Sequence, residues 1–193
     1  MIAALRLAAK ISRVGAWLGG SLIVIAALLT VAEIIIRKVS DHSLGGVSSL
    51  TGYLLACSSA WAFALTLLDR SHLRVDLIYT QFPRRARGAL DVLALLAMAG
   101  FSLVLLLQAW TVFYTSYKFT ARDLTPLRVY LEYPQLIWTM GIAFFFAVTA
   151  LLLIIAIHAY FTNNIQLLAK VAAPTSADEE LDAAKAQAET GGA

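Results

Sequence analysis

Few residues in this 193-residue chain could do chemistry, and their spacing limits which chemistry. His72, Arg74 and Asp76 alternate within Leu68-Asp69-Arg70-Ser71-His72-Leu73-Arg74-Val75-Asp76-Leu77. An arginine can hold a carboxylate by two parallel hydrogen bonds, so this grouping points to a defined polar cluster. Arg84, Arg85 and Arg87 follow soon after Phe82-Pro83, a basic cluster suited to the phosphates of a membrane surface. Glu33 and Arg37 stand four apart with the acid first, the favoured order on one helix face. Either they neutralise each other or one bonds a partner subunit. Arg122, Asp123 and Arg128 form another polar stretch, a candidate docking loop for a second protein.

Other chemistries lack their residues. His42, His72 and His158 fall in or near loops and helix ends, which does not suit a haem held between helices at mid-membrane. Cys57 is the single cysteine, which excludes an internal disulfide or dithiol pair. There is no P-loop, no H-E-x-x-H and no glycine-rich dinucleotide turn. We expect no catalysis, no cofactor, no metal and no nucleic-acid partner.

The elements that carry these residues follow from composition. Apolar residues make up 60% of the chain and charged residues 14%, against about 45–50% and ~25% in soluble domains. No charge occurs in 14–32, 42–68, 92–117 or 133–169. Each run reaches the roughly 18–20 residues that cross about 30 Å of hydrocarbon as a helix. Without water in the bilayer core, backbone groups must bond within each segment, so the spans are helical. The expected fold is therefore an all-α integral membrane protein with transmembrane helices near 14–36, 45–68, 92–117 and 134–161. Residues 1–13 read as a basic, amphipathic segment lying at the interface, with Arg6, Lys10 and Arg13 on one face. Residues 14–169 form the membrane domain, including an amphipathic inner loop after the second span. Residues 170–193 read as an acidic, mobile cytosolic tail.

Four crossings put both termini on one side. That side holds ten Lys and Arg against five on the other, which places the termini in the cytoplasm by the positive-inside rule. Within the spans the notable pattern is small residues. Ser48, Gly52, Ala56, Ala60 and Ala64 recur every four positions, a surface on which another backbone can approach closely. The neighbour is a helix of this chain or of a partner. Gly15 and Gly19 form a shorter pair of the same type, and Gln108, inside the third span, is expected to meet a neighbouring helix.

His72-Leu-Arg-Val-Asp-Leu77 after a long apolar helix, followed by Phe82-Pro-Arg-Arg-Ala-Arg87 and Asp91, resembles the DctQ-like small membrane subunits of TRAP transporters. Arg37, Gly52-Tyr53, Trp61, Thr125-Pro126, Pro134-Gln135, Trp138 and Gly141 extend the resemblance across residues 14–161. It implies a four-helix scaffold in the bacterial inner membrane, bound to a large multi-span subunit that carries the substrate and sodium sites. It also implies a periplasmic binding protein that delivers an organic anion, commonly a carboxylate, and membrane lipid around the whole. Members often carry acidic residues just before the Gly-Tyr of the second span, where this chain has Ser48-Ser49. A membrane anchor for a redox enzyme and a free-standing assembly factor are the alternatives.

Overall fold

The computed structural model describes residues 2–40, 45–69 and 84–162. They form four helices: α1 (Ile2–Ser40), α2 (Val47–Leu68), α3 (Arg84–Lys118) and α4 (Glu132–Phe161). All four are long and apolar enough to cross a membrane. Among the described residues there is no strand, only one isolated antiparallel bridge between Arg122 and Tyr130.

α2 and α4 begin and end within two residues of the expected spans. α1 and α3 do not. Their 39 and 35 residues correspond to about 58 and 52 Å at 1.5 Å per residue, well beyond a core of about 30 Å. Residues 2–13 are the first turns of α1, continuous with its span, and 84–91 likewise begin α3. A charge-free run marks where lipid begins, whereas Ala, Leu, Arg and Lys keep a helix going into the headgroups. The inner loop with His72, Arg74 and Asp76 lies outside the described residues, as does the acidic tail.

Packing follows the order α1, α2, α4, α3. The helices therefore form a row with α2 and α4 in the middle, drawn together at one end by a cluster of Ala8, Ala64, Leu67, Leu95, Phe145 and Leu152. Burial reflects this order: 44% of the most apolar stretch of α4 is covered, against 11% for α1. The outer flanks present Trp17, Leu18, Leu28 and Ile35 on α1, and Phe101, Val104, Leu107 and Trp110 on α3. Apolar faces this extensive are not left to water.

Small residues make the contacts inside the row. A Cβ at Gly19 would stand 3.1 Å from the Ser58 carbonyl oxygen, and one at Gly15 3.0 Å from the Trp61 ring. A Cβ at Gly141 would meet Trp61 at 2.9 Å and the Ala60 Cβ at 3.0 Å. Trp61 is thus wedged between α1 and α4, where it stacks on Phe144 with centroids 6.0 Å apart. Its indole Nε1 donates to the Ile137 carbonyl at 3.2 Å. Where α3 crosses α4, Ala109 is fully buried and the Thr139 hydroxyl lies 3.4 Å from its carbonyl. Other buried hydroxyls, Ser102 and Thr149, bond back to carbonyls of their own helix and so need no water.

Candidate functional site

The structure separates the five-residue stripe on α2. Ala60 and Ala64 are fully buried against the chain's own helices, and Ala56 is half-buried. Ser48 and Gly52 are exposed, and a Cβ at Gly52 would meet nothing within 4 Å. The reason is geometric: positions four apart advance about 40° around a helix at each step, so the stripe cannot follow one straight neighbour. Gly15 and Gly19, the shorter pattern, are both at close contacts. Glu33 is half-buried and engaged, while Arg37 is exposed one turn further out.

The most elaborate polar site is the connection from α3 to α4. α3 closes with Thr120 in the left-handed region at φ 46°, and the Ala121 amide donates to the Ser116 carbonyl at 2.9 Å. The chain then folds back on itself. The Asp123 amide donates to the Val129 carbonyl at 2.9 Å, and Leu131 to Ala121 at 3.0 Å. Between them, Thr125-Pro126-Leu127-Arg128 is a turn closed by the Arg128 amide on the Thr125 carbonyl at 3.0 Å, with proline preset for its second position. Arg128 sits at φ 45°, a conformation that costs a non-glycine residue of order 1 kcal/mol.

Asp123 organises this loop. Its carboxylate accepts from the Thr125 hydroxyl at 2.8 Å and from the Thr125 amide at 3.4 Å. It also accepts from Tyr53 and Ser49, hydroxyls one turn apart at the start of α2. The Thr125 hydroxyl above all holds the Asp123 carboxyl below the ordinary carboxylate range; burial opposes it, and the hydroxyls of Tyr53 and Ser49 and the Thr125 amide add to the lowering. A helix N-terminus favours a carboxylate there as well. The same loop rests on Gly45 and Gly46, which have φ of 58° and 97°. A Cβ on Gly45 would reach within 2.9 Å of Pro126, and one on Gly46 within 2.8 Å of Leu127, so only glycine fits this cradle.

The three residues expected to dock a second protein therefore differ. Asp123 faces its own α2. Arg122 stacks 4.2 Å over the Tyr130 ring and donates to the Tyr130 hydroxyl. Arg128 is exposed, and beside it Leu127 is half-exposed and Leu124 fully so. At the other end of the molecule, Arg84 and Arg85 begin α3, and Arg87 is half-buried and engaged. One turn on, Asp91 is only 3% exposed and also engaged.

Sequence reasoning had assigned no role to several of these residues. Ser49 and Tyr53 share a helix face by their spacing of four, a local signal, but nothing local ties them to Asp123. Gln108, expected against a neighbouring helix, is exposed on α3 within this chain. Cys57 is buried and its thiol points at the Pro134 carbonyl, 3.5 Å away. No group of three His, Cys, Asp or Glu able to hold a metal occurs among the described residues.

Comparison with known proteins bears on the whole of this architecture. Residues 26–159, well over half of the chain, match the family described as tripartite ATP-independent periplasmic transporters, DctQ component. The chain belongs to the DctQ family. No curated protein and no solved structure matches it. The matched region runs from the middle of α1 to the end of α4, so it covers all of α2 and α3, Trp61 with its Gly141 contact, and the Asp123 loop. As a DctQ component, the chain is a small membrane subunit of a TRAP transporter. Just before the Gly52-Tyr53 of its second span this DctQ chain has Ser48-Ser49. Here Asp123 brings a carboxylate to Ser49 from the loop between α3 and α4.

Proposed function

We propose that this subunit is a static brace for the large multi-span subunit of the transporter, and supports sodium-driven uptake of an organic anion, a carboxylate by class. The observation that carries the reading is the single row of helices. Its flanks are apolar and unpaired, and α3 carries Gly100, Val104 and Gln108 four apart along its exposed side. A glutamine amide at mid-span is poorly served by lipid, and a helix of the larger subunit supplies both the close contact and the hydrogen bond. Within the described spans the ionisable residues are few and peripheral, so ion and substrate sites belong to that partner. Glu33 with Arg37, the open end of the α2 stripe at Ser48 and Gly52, and the His72-Arg74-Asp76 motif are further contact candidates.

The outer loop faces the periplasm, where Arg128 and Leu124 help seat the binding protein, with both termini in the cytoplasm of an inner-membrane protein. Charge at such a rim mainly speeds encounter. Deleting this chain from cells that express the other two components abolishes uptake, and the tagged large subunit co-purifies with it. Full sodium-dependent uptake in its absence would overturn the proposal.

A further inference from the structure

A groove of about 520 Å³ runs along α1 where it meets Leu65 of α2. Arg13 and Trp17 stand at one end and Val24 at the other, with Ala16, Gly20 and Ser21 between them and Leu65 of α2 as a wall. Its floor is open, since a Cβ at Gly20 would meet nothing within 4 Å. The Ser21 hydroxyl already donates to the Trp17 carbonyl at 3.0 Å. Apart from Arg13, the groove therefore offers an occupant little but apolar surface. The charged end is reinforced: Arg6, Lys10 and Arg13 are exposed, and their spacing sets them on the same helix face as Trp17 and Val24.

The dimensions select the occupant. Eleven residues separate Arg13 from Val24, a rise of about 16 Å. Half of a hydrocarbon core of about 30 Å is ~15 Å. The groove thus has the depth of one leaflet, with cations at the headgroup level and Trp17, 78% exposed, at the interface where indoles concentrate. A partner helix would run on past Val24 and would have no use for a cationic end. We propose that this groove holds one anionic phospholipid, its phosphate on Arg13 with Lys10 and Arg6 behind it, and one acyl chain laid over Gly20 against Leu65. This inference concerns the subunit's own lipid and goes beyond its role in transport.

Native mass spectrometry of the full-length chain, released from bilayers of phosphatidylglycerol and phosphatidylethanolamine, tests it. The wild-type chain is expected to retain one phosphatidylglycerol in preference to phosphatidylethanolamine. Arg13→Gln should lower that preference about fivefold, the effect of one basic residue at an anionic surface. Gly20→Leu, which fills open space, should abolish retention of either lipid at an unchanged melting temperature. If it lowers that temperature, Ser21→Leu fills the same groove from the adjacent position. No retained lipid, or equal retention in wild type and variants, overturns the proposal. So does a groove-filling variant that keeps the lipid but loses the large subunit, which would make the groove a protein contact.

Discussion

Gly141 and Gly100 occupy long apolar helices that are neighbours in the row, and their surroundings are opposite. A side chain on Gly141 would collide with Trp61 and Ala60, whereas one on Gly100 would meet nothing. Gly15 and Gly19 belong with the first, Gly20 and Gly52 with the second. In lipid the hydrophobic effect between helices is absent, so close contact has to come from small residues and shaped partners. The first group has its partner within the chain. The second group marks surface that the described residues leave uncovered.

This contrast can be broken by mutation. Trp61→Ala removes the wedge from two helix contacts at once and should cost the isolated subunit about 3–5 kcal/mol, read as a lower melting temperature in detergent. Trp61→Phe, which loses the bond to Ile137 and one of the two fused rings but keeps an aromatic side chain, should cost less than the alanine variant, at least about 1 kcal/mol. Gly141→Leu should destabilise the subunit by about 1–3 kcal/mol through overpacking, while Gly100→Leu leaves it unchanged and reduces co-purification of the large subunit. Equal losses from the two glycine variants would erase the distinction. A smaller effect is expected of Gln108→Leu: no loss of stability alone, and about 0.6–1.7 kcal/mol weaker association with the large subunit.

The smallest effect is confined to the loop. Asp123 has a folded-state carboxyl that titrates below the free one. Its contribution is therefore complete above the ordinary carboxylate range and disappears as pH falls through the depressed value. The amide-exchange protection factors of residues 121–131, rates taken relative to the intrinsic rate at each pH, should fall on acidification in the wild type. In Asp123→Asn they should be low at every pH, and a preserved pH dependence of protection would mean that another group controls the loop.

The four spans were legible because a bilayer tolerates few charges and demands internally bonded backbone, so charge-free runs of sufficient length have few other readings. The ends of α1 and α3 were less legible, since Arg6 to Arg13 and Arg84 to Asp91 are compatible both with a loop at the headgroups and with more helix. The α2 stripe illustrates a different limit. Its regular spacing is real, but a helix turns, and Ala60 and Ser48 cannot serve the same neighbour. Trp61 was visible only as part of a family pattern; its position between Gly15 and Gly141 depends on the crossing of three helices. Asp123 was read as a residue facing outward because it lies in a polar loop, and the hydroxyls that turn it inward come from another helix.

The strap from α3 to α4 is fastened to the opening turn of α2, and so joins two hairpins that otherwise touch only along their sides. Boards laid edge to edge can slide lengthwise; boards tied at one end cannot. Whatever pushes against this wall from one flank is therefore resisted by its full width, and the tie sits at the rim.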